Sequence, residues 1–176
     1  MGSHGTIRKA AMEDAIGVAK VHVDSWKSTY RGIVNDGFLD SLSYEKSEER
    51  LRNRLANKSA EYAMFVAEDE KGHIIGFADG GRERSGKSTY DGELYAIYVL
   101  NEHQRKGIGK LLFHHVMSHL ASTHFRAMLI WVLNDNPSRY FYESMGGQLV
   151  CEQSIQVGEQ QLQGSAYGWI NLGVSP

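Results

Sequence analysis

The sequence predicts a mixed α/β fold: a mostly antiparallel sheet, one β-α-β crossover at its centre, and helices on both faces. Three observations carry this. The hydrophobic period switches between helical and strand spacing in the order β-α-α-β-β-β-α-β-α-β-β. Two short turns, Asp69-Glu70-Lys71-Gly72 and Gly158-Glu159, join adjacent strand segments as hairpins. Between them, Glu93–Leu100 leads through a glycine-containing loop into a helix and then into the apolar run Met128–Leu133, which is the pattern of a crossover between parallel strands.

Taken in order, Thr6–Lys9 is short and partly β-branched, and reads as an edge strand. From Glu13 the spacing becomes helical, with Ile16, Ala19, Val23 and Trp26 on one apolar face, and Gly32 with Asn35-Asp36-Gly37 ends this region. A second helix spans about Ser43 to Lys58 with Ser43 as its N-cap. Its apolar stripe of Tyr44, Leu51 and Leu55 is thin, and Lys46, Arg50 and Arg54 lie on an exposed face. Tyr62–Glu68 and His73–Asp79 form a hairpin, and Gly80–Gly92 reads as a polar, glycine-rich loop. Gly107–Ala121 is helical, burying Leu111, Leu112, Val116 and Leu120. The continuous apolar run Met128–Leu133 suits a central strand covered on both faces. Pro137 opens a helix over Ser138–Met145 that Gly146-Gly147 stops, and strands over Gln148–Val157 and Gln161–Leu172 follow.

Residues 6–173 are expected to form a single domain, and residues 1–5, opening Met1-Gly2-Ser3-His4, are set aside as a tag remnant or disordered start. At 176 residues the chain can bury a real core but hardly two. A formal net charge of -2 and a pI near 6.4 argue against a general nucleic-acid binder. The lone cysteine, Cys151, can make neither an intrachain disulfide nor a multi-cysteine zinc site. No apolar run approaches the roughly 20 residues of a membrane helix, and the first residues lack the blocks of a signal peptide, so a cytoplasmic location is expected.

Glu93–Lys110, ELYAIYVLNEHQRKGIGK, is the stretch that points to chemistry. Where a loop opens into a helix, the first backbone N–H groups have no partner within the helix, and the helix dipole favours negative charge there. Gly107 and Gly109 admit close backbone approach, while Arg105, Lys106 and Lys110 add positive charge. This is a phosphate or pyrophosphate site; the plain alternative is a solvated basic loop. Two other patterns are weaker. Gly81–Ser88 fits G-x-x-x-x-G-K-S, but a strand rather than a helix follows it. His115 and His119 have the spacing of a metal pair, with His114 beside them, but no glutamate base lies between them, and a solvated histidine face is favoured.

The loop Gln104-Arg105-Lys106-Gly107-Ile108-Gly109 resembles the Q/R-x-x-G-x-G/A signature of the GCN5-related N-acetyltransferases. Asn136-Pro137-Ser138-Arg139-Tyr140-Phe141-Tyr142-Glu143-Ser144-Met145-Gly146-Gly147 is similar to a second signature of that family, at the right distance. GHIIGFADG and VDSWKSTYRGI look like its third strand and first helix, so the resemblance covers nearly the whole chain. It implies the family's acyl-CoA N-acyltransferase fold and transfer of an acetyl group from acetyl-CoA to a primary amine of a small molecule or peptide, directly within a ternary complex and without a metal. A non-catalytic acyl-CoA-binding regulator of the same fold is the rival reading. The resemblance also allows a homodimer.

Roles carried over by position are these. The backbone at Ile97, Tyr98 and Val99 would pair with the pantetheine amides, Gln104 through Lys110 would hold the pyrophosphate, and Asn136 would contact the pantetheine arm. Tyr142 would protonate the departing thiolate, although Tyr140 and Phe141 adjoin it and a one-residue slip would move the role. An alkylamine of pKa about 10.4 must lose its proton before it attacks. Glu93 is the candidate base; on an alternating strand it would share a face with Tyr95, Ile97 and Val99. The alternatives are a water chain as the base and a merely solvent-facing Glu93. Trp26, Tyr30, Tyr95, Tyr167 and Trp169 are candidates for an aromatic acceptor pocket, each with a core role as its alternative.

Overall fold

The computed structural model describes residues 5–173; the proposed tag residues 1–4 lie outside them. Seven strands make one sheet in the order β1-β2-β3-β4-β5-β7-β6. They are β1 (Thr6–Lys9), β2 (Ala63–Glu68), β3 (Ile74–Arg82), β4 (Gly92–Val99), β5 (Ala127–Leu133), β6 (Gln148–Val157) and β7 (Gln160–Ile170). All neighbours are antiparallel except β4 and β5, which the crossover helix α4 (Ile108–Ser122) joins in parallel. The predicted fold class holds, and the strands and main helices follow in the predicted order with one short helix added before α3.

α4 covers one face. Its residues Leu112, Phe113, Val116 and Leu120 are buried against Leu94, Ile97 and Val99 of β4, and each such burial contributes about 1.5–3 kcal/mol. The other face carries α1 (Ala15–Tyr30) and, packed on it, α3 (Tyr44–Leu55). α3 is capped as expected, the Ser43 hydroxyl accepting the N–H of Lys46. Being enclosed between sheet and α3, α1 buries a wider arc than one stripe: Val18, Ala19, Val21 and Val23 are inside, whereas Ile16, expected on the buried face, is 61% exposed. His22 crosses between the two helices, its Nδ1 lying 2.9 Å from the Ser47 hydroxyl.

Two further expectations need correction. Asn35-Asp36-Gly37 does not simply end a helix: the Asn35 side chain accepts the Gly37 N–H and caps a short helix, α2 (Asp36–Asp40). Gly80 and Gly81 are strand rather than loop. A Cβ on Gly80 would stand 2.7 Å from the Glu93 carbonyl oxygen and 2.7 Å from Val116, so glycine lets β3, β4 and α4 meet there.

The β3–β4 register contains the feature that shapes the site. Gly80 pairs with Leu94 and Asp79 with Ala96, so Tyr95 is the extra residue of a β-bulge. Beyond it the alternation inverts, and Leu94, Ile97 and Val99 belong to the α4 side while Ala96 and Tyr98 belong to the α1 side.

At the other end of the sheet, the β6–β7 hairpin reaches across to α2. Val157, Ile155 and Leu162 pack with Val34, Leu39 and Leu133; Gly158 lies against the Phe38 ring, and the Asn35 N–H donates to the Gln160 side chain at 2.6 Å.

Candidate active site

β4 and β5 pair only at Gly92–Met128 and Glu93–Leu129. Past these they diverge, β5 staying with β7, and the opening is a cleft of about 900 Å³ between Tyr95–Val99 and Ile130–Val132. The β4 backbone groups facing this gap lack a strand partner, and such groups are costly to leave without one away from water.

One end of the cleft is closed by the loop before α4. Gln104 Nε2 donates to the Val99 carbonyl at 3.0 Å, fixing the loop to the strand end. Arg105 and Gly107 both take left-handed conformations, with φ of 59° and 82°. No side chain caps the helix after Gly107, so its first N–H groups remain available beside the Arg105 and Lys110 side chains that line the cleft. Gln104, Arg105, Gly107, Gly109 and Lys110 are all in the lining; Lys106 is exposed outside it, and Ile108 is buried in the core.

Opposite β4 stand Asn136 and α5 (Ser138–Ser144). The Asn136 Oδ1 accepts the Ser138 N–H at 2.9 Å, which orients the amide so that Nδ2 donates to the Tyr30 hydroxyl at 3.2 Å. One N–H and one lone pair of Asn136 are left for the cleft. The Tyr98 hydroxyl lies 3.5 Å from that of Tyr30. Tyr142 is buried in the cleft wall, and burial, with the Tyr30 phenol as a second cause, raises its pKa well above the ordinary value. Burial likewise raises Tyr30 and Tyr98. These phenols keep their protons through the physiological range.

Glu93 is placed elsewhere. Because of the bulge at Tyr95 it does not share a face with Ile97 and Val99, and it is not in the cleft lining. It is 2% exposed, and Arg84 engages both its oxygens, through Nε at 3.2 Å, Nη2 at 2.6 Å and the backbone N–H at 3.0 Å. The same Arg84 guanidinium lies 4.5 Å above the Tyr95 ring.

Of the aromatic candidates, Tyr30 and Tyr95 line the cleft, and the Tyr95 hydroxyl is already donated to the Arg82 carbonyl. Trp26 supports Tyr30 from behind, with ring centroids 4.4 Å apart. Tyr167 and Trp169 belong to the core, bonded to Glu143 and to the Met145 carbonyl. Tyr140 and Phe141, the neighbours of Tyr142, also line the cleft, as do Ser28, Thr29 and Trp131, which the sequence did not single out; alternation along β5 from the buried Ile130 is a signal for Trp131.

The P-loop-like segment has its own internal occupant. The Glu83 carboxylate accepts the N–H groups of Ser85 and Gly86, the place a phosphate would take. His115 and His119 are directed to the Leu111 and Glu61 carbonyls.

The acetyltransferase (GNAT) family model matches residues 19–147. The chain belongs to this family. Among GNAT relatives, the uncharacterized N-acetyltransferase YuaI of Bacillus subtilis is 40% identical over 167 residues, 95% of this chain and 94% of YuaI. Two solved structures share the GNAT fold. PaiA N-acetyltransferase of Thermoplasma acidophilum, in complex with coenzyme A, superposes with a TM-score of 0.69 at 21% identity, over 91% of this chain and 96% of that one. Phosphinothricin acetyltransferase of Sinorhizobium meliloti, in complex with acetyl-CoA, gives 0.72 at 20%, over 96% and 89%. As a GNAT member, the chain is an N-acetyltransferase.

Proposed function

We propose that the protein transfers the acetyl group of acetyl-CoA to a primary amine of a small molecule or peptide, directly within a ternary complex. The parting of β4 from β5 carries this reading. It leaves a slot with strand-like hydrogen-bonding groups along Ile97, Tyr98 and Val99, and the pantetheine amides would complete these as an added strand does. At one end of the slot, the N–H groups from Gln104 to Lys110, including those of Lys106 and Ile108, would hold the pyrophosphate. The coenzyme A and acetyl-CoA bound in the two fold relatives support the same cofactor.

In this reading the thioester carbonyl lies at β4, whose N–H groups stabilise the oxyanion formed on attack. The collapsing intermediate expels the thiolate, and Tyr142 protonates it. Asn136 keeps one N–H for the pantetheine arm. Cys151 is exposed on the outer strand β6 and absent from the cleft lining, which favours direct transfer over an acyl-cysteine intermediate.

The test is thiol release from acetyl-CoA across a panel of amines, with no-amine and Tyr142→Phe controls. Amine-dependent release that the variant loses while still binding acetyl-CoA is the expected result. Release unaffected by Tyr142→Phe would remove the acid assignment.

A further inference from the structure

Asn136 closes the turn after β5, and its backbone is fixed there. Its N–H donates to the Leu133 carbonyl at 2.9 Å, and its own carbonyl accepts the Arg139 N–H at 3.2 Å. The residue is 4% exposed and stands in the cleft lining. The bond from the Ser138 N–H decides where Oδ1 lies, but a single contact leaves the amide plane free to swing about it. A second contact fixes the plane, and the Tyr30 hydroxyl supplies it by accepting an N–H of Nδ2 at 3.2 Å. Asn136 then has one N–H and one lone pair left over. The pantetheine amides offer the matching acceptor and donor.

Tyr30 is itself firmly placed. It is the last residue of α1, and the chain turns at once: its carbonyl accepts the N–H groups of Ile33 and Val34, both at 2.9 Å. Trp26, one turn earlier, lies against its ring with centroids 4.4 Å apart. Leu39 of α2, Leu133 of β5 and Val157 of β6 belong to the same buried cluster. Burial raises the phenol pKa, so the oxygen that accepts from Asn136 is a neutral hydroxyl.

We infer that Tyr30 is a positioning residue for the cofactor: its hydroxyl holds the Asn136 amide in the plane from which it meets the pantetheine arm. The inference rests on the contact of Asn136 with that arm proposed above. It gives Tyr30 a task on the coenzyme side of the cleft, in place of the aromatic acceptor wall expected from its ring alone. α2 and the β6–β7 hairpin back the contact from behind, through Leu39 and Val157.

The test is calorimetric titration of coenzyme A into the unaltered protein, Tyr30→Phe, Asn136→Ala and the double variant, well below each melting temperature. Tyr30→Phe removes one oxygen and keeps the ring against Trp26. Losing the one hydrogen bond should weaken binding by about three- to tenfold. Asn136→Ala should weaken it at least as much, and adding Tyr30→Phe should then cost nothing further, because the hydroxyl has no amide left to hold. In the thiol-release assay, the rise in KM for acetyl-CoA caused by Tyr30→Phe should exceed any fall in kcat. Unchanged affinity in Tyr30→Phe, with Asn136→Ala weakened, would overturn the inference and leave the Asn136 contact standing. A loss from Tyr30→Phe that persists without the Asn136 amide would also overturn it, as would a fall in kcat with KM unmoved. Unchanged affinity in both single variants would remove the Asn136 contact itself, and this inference with it.

Discussion

Arg84 closes on Glu93 with its side chain and its own backbone N–H, so that a carboxylate at the start of β4 is fully engaged before any substrate arrives. Glu93→Gln keeps the shape and removes the charge. Its kcat should fall far less than the roughly 10²-fold expected on losing a general base. Stability should drop by about 1–2 kcal/mol, since Arg84 is 55% exposed and water tempers the loss. Steady-state kinetics and urea unfolding on one preparation test both halves.

Gly80→Ala places a methyl group where no space exists, against the Glu93 carbonyl and Val116. Overpacking of this kind costs about 1–3 kcal/mol. The strain falls beside the Tyr95 bulge, so turnover should drop in parallel with unfolding stability. Full activity with reduced stability would show that the bulge tolerates displacement.

Arg105 and Lys110 stand beside the uncapped first turn of α4. Replacing both by alanine should weaken coenzyme A binding by about tenfold at low ionic strength. The difference should shrink in about 0.5 M salt, where exposed charges are screened. Calorimetric titration at two salt concentrations reads this directly.

His22 gives a pH signature in stability. Burial, and then the positive charges of Arg50 and Arg54, push its folded-state pKa down to about 4. The unfolded value is near 6.5. Above that, His22 is neutral in both states and contributes no slope. Between about pH 6.5 and 4 the unfolded chain gains the proton first, so stability declines as pH falls. His22→Asn should flatten that interval in urea titrations, and an unchanged slope would place the cause elsewhere.

The two signatures, QRKGIG and NPSRYFYE, were readable because each is local: a loop opening a helix, and a proline-led helix stopped by two glycines. Most strand limits followed from the hydrophobic period for the same reason. What escaped depended on partners distant in sequence. Gly80-Gly81 has the composition of a loop, and only the approach of β4 and α4 makes it strand. One extra residue at Tyr95 inverts the parity on which the placement of Glu93 relied. The short α2, with a glycine inside it, leaves too little periodicity to detect. The bond from Asn136 to Tyr30 joins residues 106 positions apart, and no spacing rule reaches that far.

The docking of the β6–β7 hairpin on α2 bears on the order of assembly. Asn35 and Gln160, which it joins, are 125 positions apart, and closing a loop of that length costs roughly 4 kcal/mol in chain entropy. By contrast, the strand, loop and helix from Gly92 to Ser122 are contiguous. As the chain emerges from the ribosome, the segment proposed to hold the coenzyme can take shape early. The support behind Tyr30, built from α2 and the hairpin, must wait until β7 is laid down. The coenzyme-facing strand, loop and helix are thus a local structure, whereas the backing of Tyr30 is a late, long-range one, sealed only by the final strands of the sheet.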